Sequence, residues 1–242
     1  MTPFTWRTTM TLRLRPSAQR GHANHGWLDS RHTFSFADYF DPAQMGFRAL
    51  RVINEDWVAP QTGFDTHPHR DMEILTYVIA GAVEHKDSTG AHGITRRGEI
   101  QAMTAGTGIR HSEMNPLADQ ILHLLQIWIL PEAQRLTPGY SQTVFDDESK
   151  RDRLRLIASR DGRDGSLVLH QDVAIHASIL SPGHTLSHQL VAGRGAWVQV
   201  VAGTLVLNGQ VLAAGDGAAM EDEAMLTLTS ESGAEFLLFD LA

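Results

Sequence analysis

The feature that most constrains how this chain can fold is a stretch that occurs twice. Tyr77-Val78-Ile79-Ala80-Gly81-Ala82-Val83 resembles Gln199-Val200-Val201-Ala202-Gly203-Thr204-Leu205, an offset of 122 residues. Further on, Gly98-Glu99-Ile100-Gln101-Ala102-Met103 resembles Gly215-Asp216-Gly217-Ala218-Ala219-Met220, an offset of 117. The residues lost between the two offsets fall in one hairpin, where Asn208-Gly209 makes a tighter turn than Asp87–Gly93. A chain of 242 residues fits one large all-β domain or two small ones. The repeat selects two copies of one module, joined around Pro131–Lys150. The expected division is 1–134 and 135–242.

The module is built of strands. Short runs rich in Val, Ile, Leu and Thr, separated by Gly, Asp and Asn turns, cover Phe47–Asn54, Glu73–Ile79, Gln120–Leu130, Leu154–Ala158, Ala196–Val201, Gly203–Leu207, Leu226–Thr229 and Glu235–Asp240. Helical spacing is confined to Pro131–Arg135 and Asp147–Arg153. The fold class expected is all-β. A formal charge of −8 argues against non-specific nucleic-acid binding, which needs a basic face. No run of about 18 apolar residues predicts a membrane span. Met1 to Arg15 is polar and strand-like and lacks the apolar core of a signal peptide, and Met10 within it means the first nine residues could be an extension or a misassigned start. The absence of Cys removes disulfides and thiolate chemistry together, and a cytoplasmic location is expected.

Two short motifs carry chemistry. His67-Pro68-His69 and His111-Ser112-Glu113 are each a pair of metal-type ligands at i, i+2. Residues two apart on a strand share a face, so two such pairs on facing strands could aim three imidazoles and one carboxylate at one point. Imidazole suits Fe, Ni, Cu and Zn, and a carboxylate holds harder ions. Four protein ligands on an octahedral ion would leave two positions open, as catalysis requires. Ligating imidazoles must be neutral, so metal affinity is expected to weaken below about pH 6. The repeat supplies a control: carrying the four positions across lands on Gln189, Val191, Leu228 and Ser230. The metal site belongs to the first half alone.

Other features have blander readings. His22, His25 and His32, with Trp27, Phe34 and Phe36, form either a loop over a barrel mouth or a hydrogen-bonded surface turn. His85, His92, His123, His170 and His176 read as structural or exposed. His184-x3-His188 has helical ligand spacing in a β context and argues against a second metal. Arg110 reads as a structural ion pair, and Trp57, Trp128 and Trp197 as core or inter-barrel packing.

Two segments carry a resemblance. His67-Pro68-His69-Arg70-Asp71-Met72-Glu73-Ile74-Leu75-Thr76-Tyr77-Val78 and Met103-Thr104-Ala105-Gly106-Thr107-Gly108-Ile109-Arg110-His111-Ser112-Glu113-Met114 resemble the pirin family of bicupins. Arg20 to Ser30 and His32-Thr33-Phe34-Ser35-Phe36 are similar to its bacterial branch, often assigned quercetin 2,3-dioxygenase activity. The resemblance implies two jelly-roll β-barrels packed face to face, the first binding one metal, usually Fe(II), through His67, His69, His111 and Glu113. Mn, Ni, Co, Cu or Zn would also suit this donor set. The general cupin pattern fits less closely, with three residues between Gly63 and His67 and four between Gly106 and His111. Cupins that draw their carboxylate from the first motif make Glu73 the rival to Glu113; otherwise Glu73, with Asp71, is expected to orient a ligating imidazole.

The activity so implied is cleavage of a flavonol ring with O₂, with a small aromatic substrate and Glu113 or Glu73 as the base for its 3-hydroxyl proton. The alternatives are a metal-loaded regulatory protein that binds a protein partner, and an isomerase or hydrolase on a related small molecule. Fold and ligands are shared among these; the pocket decides.

Overall fold

The computed structural model describes residues 11–242 and is almost wholly β, in two barrels. The first barrel faces a seven-stranded antiparallel sheet with a four-stranded one. The order of the large sheet is Gly139–Val144, Glu99–Thr104, Glu73–Ala80, Leu122–Ile129, Leu50–Val58, Leu28–His32 and Gly21–Asn24. The small sheet runs Gly63–His69, Ile109–Met114, Ala82–Asp87 and His92–Arg96. In the second barrel a single strand, Gly195–Leu207, serves both faces. Its first half pairs with Gly217–Glu221 and Ala234–Leu241, and its end with Gln210–Ala213 and Met225–Thr229.

The repeated segment is where each barrel turns its corner. Gly81 and Gly203, equivalent in the repeat, have φ of +78° and +76°. A Cβ on Gly81 would lie 2.8 Å from the Ile121 carbonyl oxygen, and one on Gly203 2.2 Å from that of Gly233. Only glycine meets both demands. In the first copy the corner separates two strands. In the second it is a bulge between Val200 and Ala202 within one strand, so the two runs expected there are continuous.

The barrels pack face to face. Leu75, Tyr77 and Ile127 of the first share one buried cluster with Ile175, Trp197, Leu237 and Phe239 of the second. Phe34 joins it, 4.9 Å from Trp197 between ring centroids, instead of covering a barrel mouth. Two strands are exchanged across the expected division: Thr11–Arg15 pairs with Gly217–Glu221, and Gly139–Val144 with Glu99–Thr104. The Met1–Met10 part of the strand-like N-terminus lies outside the described residues. Pro131–Arg135 is not helical, and the second expected helix is a single turn, Asp147–Lys150, capped by Asp146. Phe47 sits before its expected strand in a tight turn at Arg48 (φ +54°), and the strand starts at Leu50. Among the described residues no helix is long and apolar enough to cross a membrane.

Candidate metal centre

The two motif strands lie side by side with His111 opposite His67 and Ile109 opposite His69. Gly63–His69 is the edge of its sheet, so Pro68, which has no N–H, breaks no ladder to a further strand. Alternation turns His67 and His69 inward together, and their ring centroids lie 4.5 and 4.9 Å from that of His111. One nitrogen from each of the three lies within 4.8 Å of the others. The Glu113 carboxylate stands within the same distance of His111 and His85, after a bulge between His111 and Glu113.

Hydrogen bonds fix which nitrogen each ring presents. His67 Nδ1 donates to the Asp65 carbonyl at 2.7 Å, leaving Nε2 as the lone pair. His85 Nε2 lies 2.9 Å from Asp87 Oδ2, and its Nδ1 lies 3.3 Å from His111 Nδ1. A carboxylate only accepts, so His85 Nε2 carries hydrogen. Its Nδ1 then accepts from His111 Nδ1, and the His111 lone pair falls on Nε2. That Nε2 is buried and has no hydrogen-bond partner. Burial, with His67 and His85 beside it, pushes His111 down to about 3. Burial, with His111 and His67 nearby, pushes His69 down to about 4. Both rings are therefore neutral at pH 7. An orphaned lone pair among neutral imidazoles is the donor set a divalent transition metal needs.

The facing sheet holds the carboxylate. Glu113 Oε2 accepts from Gln126 Nε2 at 2.6 Å, and Oε1 accepts from Gln101 Nε2 at 2.8 Å and Thr76 Oγ1 at 3.2 Å. These donors come from a row of paired residues, Gln101–Thr76–Gln126–Asn54–His32, crossing five strands. The row ends where His32 Nδ1 meets Asn54 Oδ1 at 2.9 Å. A carboxylate has about four lone-pair directions, so three donors fix the orientation of Glu113 and leave one direction free.

Above this floor lies a cavity of about 680 Å³. Trp27, Phe36, Phe64 and Trp128 give it aromatic walls, and His22, His25 and His32 border it, so the N-terminal lead-in does cover the barrel mouth. Asp56 also lines it, fully buried and hydrogen-bonded by Ser30 Oγ; burial pushes its carboxyl up to about 7, and Glu113 and Glu55 nearby add to this.

Five expectations need correction. Glu73 is absent from the site: Asp71, at φ +48°, breaks the strand after His69, and Glu73 turns to the opposite face. Its carboxylate meets Thr104 Oγ1 at 3.0 Å and the His170 backbone N–H at 3.3 Å, between the barrels, and burial raises it. Asp71 accepts from the Arg135 N–H, so neither acid orients an imidazole. His85, read as structural or exposed, is buried against His111; its signal was the spacing His85-Lys86-Asp87, the same i, i+2 logic as the motifs. Trp128 walls the cavity, with its ring 4.9 Å from that of His69, and Arg110 finds no carboxylate among the described residues.

Known proteins resemble this chain over nearly its whole length. The family model described as Pirin matches residues 13–129, and that described as Quercetinase C-terminal cupin domain matches 156–241. A protein of Escherichia coli K12 named quercetin 2,3-dioxygenase is 52% identical over 94% of this chain and 97% of its own. A Caulobacter vibrioides protein named pirin-like is 40% identical over 94% of this chain and 98% of its own. The crystal structure of the bacterial pirin YhhW from Escherichia coli in complex with nickel(II) is 50% identical, with a TM-score of 0.91, covering 95% of this chain and 98% of that one. A bound metal is supported, and the chain belongs to the pirin family.

Proposed function

We propose that this protein is a metal-dependent dioxygenase that opens a flavonol ring with O₂, and that His67, His69, His111 and Glu113 hold its one metal ion. The observation that carries the reading is the orphaned His111 Nε2, facing two further imidazoles beneath an aromatic-walled cavity. The names of the Escherichia coli relatives support it. We take 1–134 as the metal-bearing unit and 135–242 as the metal-free one, and the compartment as the cytoplasm.

Bound there, the ion would supply Lewis acidity and a common template for substrate and O₂; Fe(II) is our first choice, with nickel precedented in the Escherichia coli structure. The protein does the rest. Trp27, Phe64 and Trp128 offer flat apolar surface to a planar ring and exclude water from it. Glu113, with one lone-pair direction left, faces either the ion or the proton of a substrate hydroxyl. Asp56, raised to about 7 by burial, can take up or give back a proton at neutral pH. Aerobic incubation of the iron- and nickel-loaded protein with a flavonol panel, followed as substrate loss and carbon monoxide release, tests the reading. Turnover of at least one flavonol is expected; no turnover with either metal would defeat it.

A further inference from the structure

The second barrel has a cavity of its own, about 530 Å³, lined by Arg153, Leu154, Arg155, Leu156, Arg163 and His176 among others. Its position is not arbitrary. In the first barrel Gln101 pairs with Thr76, Thr76 with Gln126, Gln126 with Asn54, and Asn54 with His32. In the second, Ala218 pairs with Val198, Val198 with Leu238, Leu238 with His176, and His176 with Leu156. The two ladders correspond pair for pair. His176 stands where Asn54 stands, and Leu156 where His32 stands. Asn54 and His32 line the first cavity, and His176 and Leu156 line the second. The second cavity therefore opens beside the same two ladder positions, at the outer edge of that sheet, and unlike the first it is lined by the 144–156 connection and not by the strands that answer to the motif strands.

The chemistry of the second mouth differs. It holds no group of three metal-type ligands, the two such groups among the described residues both lying in the first barrel. Three guanidinium groups border it instead, in a chain whose formal charge is −8. Neither Arg153 nor Arg155 has a carboxylate partner among the described residues. Arg153 Nε donates to the Arg151 carbonyl, and the Arg155 guanidinium lies 5.2 Å from the Phe145 ring centroid. Arg163 is shared with Asp161 at 2.9 Å. Of the acids on the lining, Asp146 is occupied as the cap of the Asp147–Lys150 turn, and Asp164 is exposed at the rim. His176 Nδ1 is buried without a hydrogen-bond partner. A planar guanidinium presents parallel N–H groups that match a carboxylate or phosphate, and unpaired ones leave that capacity unused.

We propose that this mouth binds a small organic anion, through a carboxylate or phosphate group held by Arg153 and Arg155. The site is independent of the metal and of the reaction in the first barrel. The test is calorimetric titration of the metal-loaded, full-length protein at low ionic strength with inorganic phosphate and, separately, with citrate. Saturable binding of one equivalent of either is expected, and which anion binds tells a phosphate ligand from a carboxylate one. Arg153→Gln, at an exposed position, should weaken binding about tenfold. Arg155→Lys, which keeps the charge but loses the fork, should also weaken it. His111→Ala should leave it unchanged. No saturable binding of either anion up to roughly 10 mM, the weak end of specific affinity, would overturn the proposal. So would undiminished binding by Arg153→Gln, or loss of binding in His111→Ala, which would put the anion in the first barrel.

Discussion

The two barrels share one lattice and differ in what fills it. The row that presents three donors to Glu113 in the first barrel is Gln101–Thr76–Gln126, and its counterpart in the second is Ala218–Val198–Leu238. Ala218, Val198 and Leu238 are fully buried in an apolar cluster with Leu226, Leu228 and Phe236. The strand pair Thr185–Gln189 and Met225–Thr229 turns Leu186, Leu226 and Leu228 into that cluster, and His188 is taken up by Asp240 at 2.8 Å. A buried carboxylate without its donors would be costly. Donors and carboxylate therefore had to come and go together, and the comparison teaches that the metal site extends well beyond its candidate ligands.

The largest break in the comparison is removal of a ligand. The intact protein should hold one equivalent of metal, and His111→Ala none, by elemental analysis after loading and desalting; two equivalents would mean the second barrel is not metal-free. Glu113→Gln should also lose metal, since an amide would face Gln101 and Gln126 with its own N–H₂ group. A smaller step copies the second barrel into the first. Gln126→Leu removes the 2.6 Å donor to Glu113 and should weaken metal affinity about 10- to 100-fold, the usual cost of an outer partner. Affinity unchanged in a competition titration would show that the row is packing and not support.

The next effect is in pH. His69 and His111 lie below the 6.5 of a free imidazole, so the unfolded chain binds protons first as pH falls. Their contribution to stability is complete above about 6.5 and is lost progressively as pH drops toward 4 and 3. These values also move proton competition for the two ligands below the pH 6 expected from free histidine. His176 in the second barrel, at about 4, behaves alike. Asp56 and Glu73, raised by burial, act in the opposite sense, so the histidine effect is best read as a difference. Melting temperatures of metal-free and metal-loaded protein from pH 8 to 4 should run apart by a constant gap at first and then converge at the acid end, because protons compete with the metal only as pH nears the lowered values of His69 and His111. His176→Asn, the first barrel's residue at that place, should flatten both curves equally. A gap that widens on acidification, or one already lost by pH 6, would break the assignment.

What the sequence makes legible follows from the range of each signal. The repeat and the i, i+2 pairs are local patterns, so the two barrels and the converging imidazoles could be read directly. The row beneath Glu113 could not. Thr76, Gln101 and Gln126 are polar residues scattered in three mostly apolar strands, far apart along the chain, and only the register aligns them. The arginines of the second mouth are hidden for the same reason, since nothing local ties Arg163 to His176. Asp56 reads as one acid in Asn54-Glu55-Asp56 until alternation turns it inward and Glu55 outward, toward Arg20 and His123.

The smallest expected effect belongs to Glu73, and it is the sharpest test of which face the chemistry uses. Strand alternation from His69 would carry Glu73 to the metal side, but the left-handed residue at Asp71 resets the phase. Ile74 and Thr76 then face the first barrel's interior, while Glu73, Leu75 and Tyr77 face the second barrel. Glu73 Oε1 is buried without a partner, and burial already raises the carboxyl, which favours its protonated form. Glu73→Gln supplies a neutral group of the same shape, so it should keep the metal, keep turnover, and change stability at pH 7 by no more than about 1 kcal/mol. Any change should be toward greater stability as pH rises, because the raised carboxyl costs folding energy on ionising and the amide cannot ionise. Metal content and melting temperature of Glu73→Gln beside Glu113→Gln decide the matter. A metal-free Glu73→Gln with a loaded Glu113→Gln would reverse the carboxylate assignment and require the strand to run in phase through Asp71.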